Sequence, residues 1–473
     1  MRSLYIAYSS FSLLLWLLLL GITYFDHEFL GMGPVILLPI FVGAALFMTM
    51  AGKTPPFELV PYFIFSVLVF FCINIIFWPL ASFSPLEFYS LVVEDLSVEV
   101  VARSSTLLGL SLSITLLTHA LAGGNRGSAA SVLPAYAPQL AKLGYRMVLF
   151  AFPFVFYRLY REFSHIASAG YLAVYAEGLN AADLNTAWVA PFNYMFYTGF
   201  GLICAFETTR RRFLTAMIFF LIAALLDGVK GARGAVIVPI LFCWWFYSAR
   251  FNIKIKLGRL GMYMMGAVAL FLILTVTREK EATESTAGQF VVDAVASQGR
   301  SLQLTSIYLQ EQEAISEYGN MMVFSNLMLP LNVILHPELR ETPQSIEQVM
   351  YSNNLKHIFT YVLNEEYYLA GGGTGGVYLI ELIEAGPVLF ILLSVLLGWF
   401  FAAWPRWMHN PFARFVSLQI FSTVFYMPRA EYFPNLIIFG KSCVVFAIIV
   451  FLVRIYHKYG AVIAGPTTPP VRA

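Results

Sequence analysis

Long apolar runs, interrupted by short polar and charged clusters, make up most of this chain. A helix that crosses a bilayer needs about 20 mostly apolar residues. Twelve runs approach that length: residues 5–24, 31–50, 57–81, 104–122, 143–160, 188–206, 213–227, 234–249, 260–277, 376–403, 412–428 and 434–455. The seventh and eighth are short and leave little room for tilt. The pattern predicts an all-α polytopic membrane protein with about twelve transmembrane helices. Membrane segments 1–277 and 376–456 flank one long excursion, 278–375, and residues 457–473 form a tail. The excursion exceeds a mere connector, and functional lids are commonly built from such loops. Within it Gln298–Glu317 reads as an amphipathic helix, and Pro330, Pro337 and Pro343 break up the middle. Residues 82–103 carry Glu87, Glu94, Asp95 and Glu99 among apolar neighbours and read as a helix lying on the membrane surface. The proline-bearing tail from Gly460 reads as disordered.

Composition agrees: 59% of residues are hydrophobic, 12% are charged, and the mean hydropathy is +0.73. Soluble domains carry about 25% charged residues, so lipid must be the main solvent here. A net charge of +2 gives no sign of a nucleic-acid partner. Cys72, Cys204, Cys243 and Cys443 all lie in apolar runs without Cys-x-x-Cys spacing, which argues against a disulfide framework or thiolate metal site. The opening apolar run lacks a convincing small-residue cleavage site and reads as an uncleaved first span. With both termini in the cytoplasm, seventeen Lys and Arg fall on the inner side and six in the short outer connections. That asymmetry fixes the expected orientation. Only Glu58 and Glu207 among the acids fall near the inner face.

Charges then collect near the expected outer ends of the spans. Asp227-Gly-Val-Lys230-Gly-Ala-Arg233-Gly234 lies between two apolar runs. At helical spacing Asp227, Lys230 and Arg233 share one face, and two cations there would seat a phosphate-like group. The plainer alternative pairs Asp227 with Lys230 and lets Arg233 snorkel to headgroups. Arg158, Arg161, Glu381, Glu384, Arg429 and Glu431 complete the set. Charges at such depth usually face a cavity rather than lipid.

Gly371–Gly376 precedes a helix and could present backbone N–H groups, those of Gly372 and Gly373 among them, to an anion. It lacks the Lys-Ser/Thr of a nucleotide loop, and a flexible junction is the alternative. Glu381 and Glu384, at i and i+3, share a helix face. Their repulsion would raise one pKa toward a value useful in proton transfer, or each would simply pair with an arginine. His27, His165, His336 and His357 show no zinc spacing. No metal and no cofactor is therefore expected.

Three segments together resemble the Wzy-type O-antigen polymerases, including the enterobacterial common antigen polymerases. They are KGARGAVIVPILFCWWFY (230–247), GGGTGGVYLIELIEAGP (371–387) after a long outer loop, and MPRAEYFPN (427–435). The resemblance covers roughly residues 140–456. It implies a fold like the C-type membrane glycosyltransferases, in the bacterial inner membrane, with the active site facing the periplasm. It also implies the reaction: a glycan on undecaprenyl pyrophosphate is the donor, a repeat unit on a second undecaprenyl pyrophosphate is the acceptor, and transfer inverts the anomeric carbon. The family's dependence on outward-facing arginines maps onto Arg233 and onto Arg158, Arg161 and Arg429.

On this reading Lys230, Arg233 and Arg429 bind pyrophosphate, and Glu381, Glu384 or Glu431 accepts the proton. Membrane lipids and the two lipid-linked glycans are the expected partners. Whether a chain-length regulator binds stays open. Two alternatives remain. An O-antigen ligase shares donor and architecture and would use an outer histidine, for which His336 is the candidate. A lipid-linked oligosaccharide transporter would show repeated halves and mid-membrane polar residues, and no repeat is visible here.

Overall fold

The computed structural model describes residues 2–25, 31–51, 56–81, 86–88, 94–123, 133–169, 187–229, 234–253, 287–340, 344–433 and 436–463. Among these, regular structure is helical apart from one pair of two-residue strands, β1 (Glu87–Phe88) and β2 (Glu94–Asp95), antiparallel with Glu87 opposite Asp95.

The first membrane helices are α1 (Arg2–Phe25), α2 (Gly33–Ala51), α3 (Val60–Phe77), α4 (Val98–Ala122) and α5 (Ala137–Ala169). Then come α6 (Ala190–Phe206), α7 (Arg210–Val229) and α8 (Gly234–Arg250). The excursion holds α9 (Ala287–Ala296), α10 (Arg300–Gln310), α11 (Gln312–Ser316), α12 (Ser325–Leu335), α13 (Ile346–Ser352), α14 (Leu355–Leu363) and α15 (Glu365–Leu369). The chain ends with α16 (Tyr378–Glu384), α17 (Gly386–Trp407), α18 (Pro411–Phe415), α19 (Ser417–Tyr426) and α20 (Leu436–Ile463).

Seven described helices are long and apolar enough to cross a membrane: α1 to α5, α17 and α20. This is a multi-pass membrane protein. They coincide with the first five, the tenth and the twelfth expected runs. α6 and α8 have 17 residues each, α7 opens on three arginines, and the eleventh run is broken into α18 and α19. The ninth run, 260–277, lies outside the described residues.

α4 is the hub, packed by α1, α2, α10 and α17. Its N-terminus is capped by Ser97, whose hydroxyl accepts from the Val100 amide. Most of its buried hydroxyls bond within the helix or across it. Ser105 and Thr106 donate to Val101 and Ala102 carbonyls at 2.8 Å, and Ser111 and Thr115 reach Ser394 of α17 at 3.0 and 3.2 Å. α20 lies at the opposite extreme, none of its apolar span being buried within the protein. Its Val444, Ile448, Phe451 and Leu452 are exposed, as lipid contact requires.

Four sequence expectations change. First, Gln298–Glu317 is not one surface helix: a 3-10 turn, Ser297–Gly299, leads into α10, then α11. α10 is buried nearly all round, with Leu302, Leu304, Ile307 and Tyr308 beside Ser301, Gln303, Thr305 and Ser306. It lies against α3 and α4, and Ser306 donates to Ser104 at 3.0 Å. Gly299 permits this entry, since a Cβ there would stand 2.5 Å from the Asn74 amide nitrogen. Second, Val98 onward belongs to α4 rather than to a surface helix. Third, the fifth run extends in both directions into the 33-residue α5. Fourth, the tenth run is two helices, because Gly386 adopts φ +85° and separates α16 from α17.

A candidate active site at one end of the helices

α7 defines two ends of the membrane domain. Arg210, Arg211 and Arg212 open it, and Asp227 lies in its last turn, about 25 Å away at helical rise. The end marked by Asp227 collects every candidate side chain among the described residues.

Arg158 and Glu162 sit one turn apart on α5, and Arg158 Nε meets Glu162 Oε1 at 3.0 Å. Glu162 is buried and Arg158 partly exposed. Arg161 follows on the same helix. Tyr197 of α6 lies within electrostatic reach of Asp227, Arg158 and Glu162. Tyr426, the last residue of α19, lies within reach of Asp227 and Arg429. A cavity of about 180 Å³ is lined by Tyr197, Asp227, Ser422 and Tyr426 together with apolar residues that include Phe220 and Ala224. Lys230 and Arg233 lie outside the described residues.

The segment after α19 ties this region to the excursion. A 3-10 turn, Met427–Arg429, brings Arg429 Nη1 to donate to Gln298 Oε1 at 3.3 Å. Two residues on, Glu431 meets Lys356 Nζ of α14 at 3.6 Å. The Tyr432 amide then donates to Glu381 Oε2 at 2.7 Å, and its hydroxyl donates to the Leu393 carbonyl at 2.6 Å. Glu381 is fully buried. Burial pushes its carboxyl well above the usual carboxylate range; the Tyr432 amide opposes this, and the nearby Glu431 and Glu384 add to it. Glu384 accepts the Met321 and Met322 amides on its two oxygens, holding the left-handed Met321 at the start of a 3-10 turn. Its pKa is also raised by burial, against those two amides.

The glycine run is pinned rather than open. The amides of Gly371 and Gly372 donate to the Tyr368 and Tyr367 carbonyls, and the Thr374 amide donates to Thr360 Oγ1 at 3.1 Å. Gly372 lies flat against the Tyr367 ring, and Gly373 has Gln344 Nε2 as its neighbour. Gly375, at φ +82°, and Gly376 pass beside the backbone of Arg429, Ala430 and Glu431. The run therefore braces the Arg429 segment by close backbone approach.

His336 stacks on Tyr351 with ring centroids 4.1 Å apart. His357 faces Tyr368, and burial, then the neighbouring Lys356, pushes its pKa down to about 4. No group of three or more metal-ligating side chains occurs among the described residues.

The structure thus brings Arg158, Arg161, Asp227, Arg429, Glu431, Glu381 and Glu384 to one end, in two connected groups. It also adds Tyr197, Ser422 and Tyr426, which sequence reasoning missed. Each is a single polar residue in an apolar run, and only tertiary packing reveals that they share a cavity with Asp227.

Residues 6–459 match the family model of the O-antigen polysaccharide polymerase Wzy. The match takes in residues 6–139, which the resemblance in short motifs left out. No curated protein and no solved structure matches the chain. With nearly its whole length covered, the chain belongs to the O-antigen polysaccharide polymerase Wzy family.

Proposed function

We propose that this protein polymerises undecaprenyl-pyrophosphate-linked oligosaccharide repeat units at the periplasmic face of a bacterial inner membrane. The growing chain is the donor. A hydroxyl of the acceptor unit displaces the pyrophosphate lipid with inversion. The observation that carries this reading is a cavity lined by Asp227 at the end opposite Arg210–Arg212, with Arg158 and Arg429 within electrostatic reach of its Tyr197 and Tyr426. Glycosyl transfer from a pyrophosphate needs preorganised cations where the leaving group's charge develops. Arg429, with Lys230 and Arg233 that follow Asp227 in the sequence, binds the pyrophosphate. Arg158 and Arg161 flank it.

Glu381, Glu384 and Glu431 act through position. Glu381 and Glu384 hold backbone amides, and Glu431 fixes Lys356 at the rim. With Gly372–Gly376 they set the path of the segment carrying Arg429. The orientation follows from the excess of Lys and Arg on the Arg210–Arg212 side.

The test is reconstitution. Purified full-length protein is given lipid-linked repeat units from a strain whose polymerase gene is deleted, with EDTA and without nucleotide. The expected product is a glycan ladder spaced by one repeat unit. Arg429→Ala and Arg233→Ala should each slow it by about 10²–10³-fold while the protein still inserts in the membrane. Transfer onto added lipid A without a ladder would identify a ligase, and no product from folded protein would reject glycosyl transfer.

A further inference from the structure

We propose that the cavity between α6, α7, α8 and α19 is the subsite for the attacking sugar of the acceptor, with Asp227 as the base that receives its proton. This deepens the polymerase reading and rests on it.

Asp227 stands in the last turn of α7. A carboxylate there faces the negative end of the helix dipole, a placement that helix stability opposes. It also stands at the membrane edge, where an ionisable group is a functional candidate by default. The cavity it lines has the right chemistry for a hydroxylated ring. Hydroxyl-bearing Tyr197, Tyr426 and Ser422 line it with Asp227, and Phe220 and Ala224 give apolar wall. A sugar presents the same division, with hydroxyls at its rim and C–H groups on its faces. The volume of about 180 Å³ falls below the roughly 300–1,000 Å³ of sites for drug-sized ligands. It admits one sugar ring, with the rest of the glycan outside.

The neighbours place the leaving group. Arg158 and Arg429 lie within electrostatic reach of the two tyrosines that border Asp227. Lys230 and Arg233 follow within six residues of the chain. A base for the acceptor thus lies near Arg158 and Arg429, two of the cations proposed for the pyrophosphate.

In the step itself the acceptor oxygen forms a bond to the donor's anomeric carbon as the bond from that carbon to the pyrophosphate oxygen breaks. The electron pair leaves on the pyrophosphate. The hydroxyl proton passes to Asp227 and from there to water.

The experiment compares wild type with Asp227→Asn, Asp227→Glu and Ala224→Leu, using full-length protein and the same lipid-linked repeat units. Ladder rate and binding of undecaprenyl pyrophosphate are measured separately. Asp227→Asn should lose about 10²-fold or more in rate, the usual scale for a missing general base, with undecaprenyl pyrophosphate binding within threefold of wild type. Asp227→Glu should recover part of the rate. Ala224→Leu, which fills the cavity without touching a charge, should also lose the ladder and keep lipid binding. A normal ladder in Asp227→Asn or in Ala224→Leu overturns the subsite and leaves the polymerase reading intact. Loss of lipid binding together with the ladder in Asp227→Asn overturns it as well, by moving Asp227 to the anion site or the fold. No ladder from the wild type rejects the polymerase reading itself.

Discussion

The two ends of the membrane domain both hold charge, and they use it differently. At the end marked by Arg210–Arg212, the buried Glu58, His119, Glu207 and Arg414 take partners within the protein. Glu58 and His119 meet at 3.2 Å with only 6% of each side chain exposed, and Tyr5 bonds the other His119 nitrogen at 3.3 Å. Glu207 accepts the Thr209 amide at 2.7 Å, Arg250 donates to the Glu207 carbonyl at 3.2 Å, and buried Arg414 donates to the Met408 carbonyl at 2.6 Å. At the Asp227 end, Asp227 and the hydroxyl-bearing Tyr197, Ser422 and Tyr426 border a cavity. Glu58 and Glu207 are the two acids that break the charge asymmetry along the sequence; Glu58 meets His119 of α4, whereas the Glu207 carboxylate accepts the Thr209 amide two residues on and its backbone carbonyl accepts from Arg250 of α8. Closed pairs hold the bundle together, whereas the cavity end has room for a ligand.

The largest effect that would break this comparison is at the closed end. Removing one partner of a buried pair leaves the other uncompensated and costs about 3–5 kcal/mol. Glu58→Ala should therefore deplete the protein from membranes, read as lost abundance and a lowered Tm in detergent. The double variant Glu58→Leu/His119→Leu should recover much of that loss, because apolar replacement of both partners is often neutral or stabilising. Failure of the double variant to recover would give this pair a role beyond packing.

Arg158→Ala sharpens the other side. Arg158 is a quarter exposed, and partly solvated pairs contribute only about 0–1 kcal/mol. Its removal strands the buried Glu162, so it should lower Tm, though by less than Glu58→Ala does, and slow chain extension about 10-fold or more, the smaller loss expected of a flanking cation. A Tm drop equal to that of Glu58→Ala, with normal extension, would erase the distinction between the ends.

Most helices were legible in the residues because apolar length alone specifies them. The charged positions near the Asp227 end were legible too, since a charge in an apolar context stands out. Three features were not. α10 carries Ser301, Gln303, Thr305 and Ser306 and so reads as half-solvated, yet Thr305 and Ser306 return their hydroxyls to Ser301 and Leu302 carbonyls at 2.8 and 3.0 Å. That internal bonding makes a polar sequence packable. The break at Gly386 is a single positive φ inside a continuous apolar run, and hydropathy does not register it. The cavity unites residues from α6, α7, α8 and α19, contacts that periodicity cannot supply.

His357 gives a moderate effect with a definite sign. Its folded pKa of about 4 lies below the ordinary 6.5, so the neutral ring is favoured in the folded state. The unfolded chain takes up the proton first as pH falls below 6.5. Stability from this group is present at neutral pH and is lost between about 6.5 and 4, on the order of 2 kcal/mol by pH 5. His357→Gln should flatten the decline of Tm between pH 7 and pH 5. An unchanged decline would place the acid sensitivity elsewhere.

The smallest effect decides whether Glu381 is a base or a latch. Its Oε2 accepts the Tyr432 amide, and a glutamine oxygen accepts it equally well. Glu381→Gln should cost less than about 1 kcal/mol at pH 7 and leave the ladder intact, whereas a base would lose extension outright. Glu381→Leu orphans the Tyr432 amide and should cost about 1–3 kcal/mol, loosening the segment that carries Arg429. The pH sign is the reverse of that for His357. With the folded pKa raised, Glu381's contribution is full at low pH and falls as pH rises through that raised value, so the glutamine variant should resist alkaline destabilisation better than wild type. A dead but stable Glu381→Gln would return the proton-accepting role to α16 and remove it from Asp227.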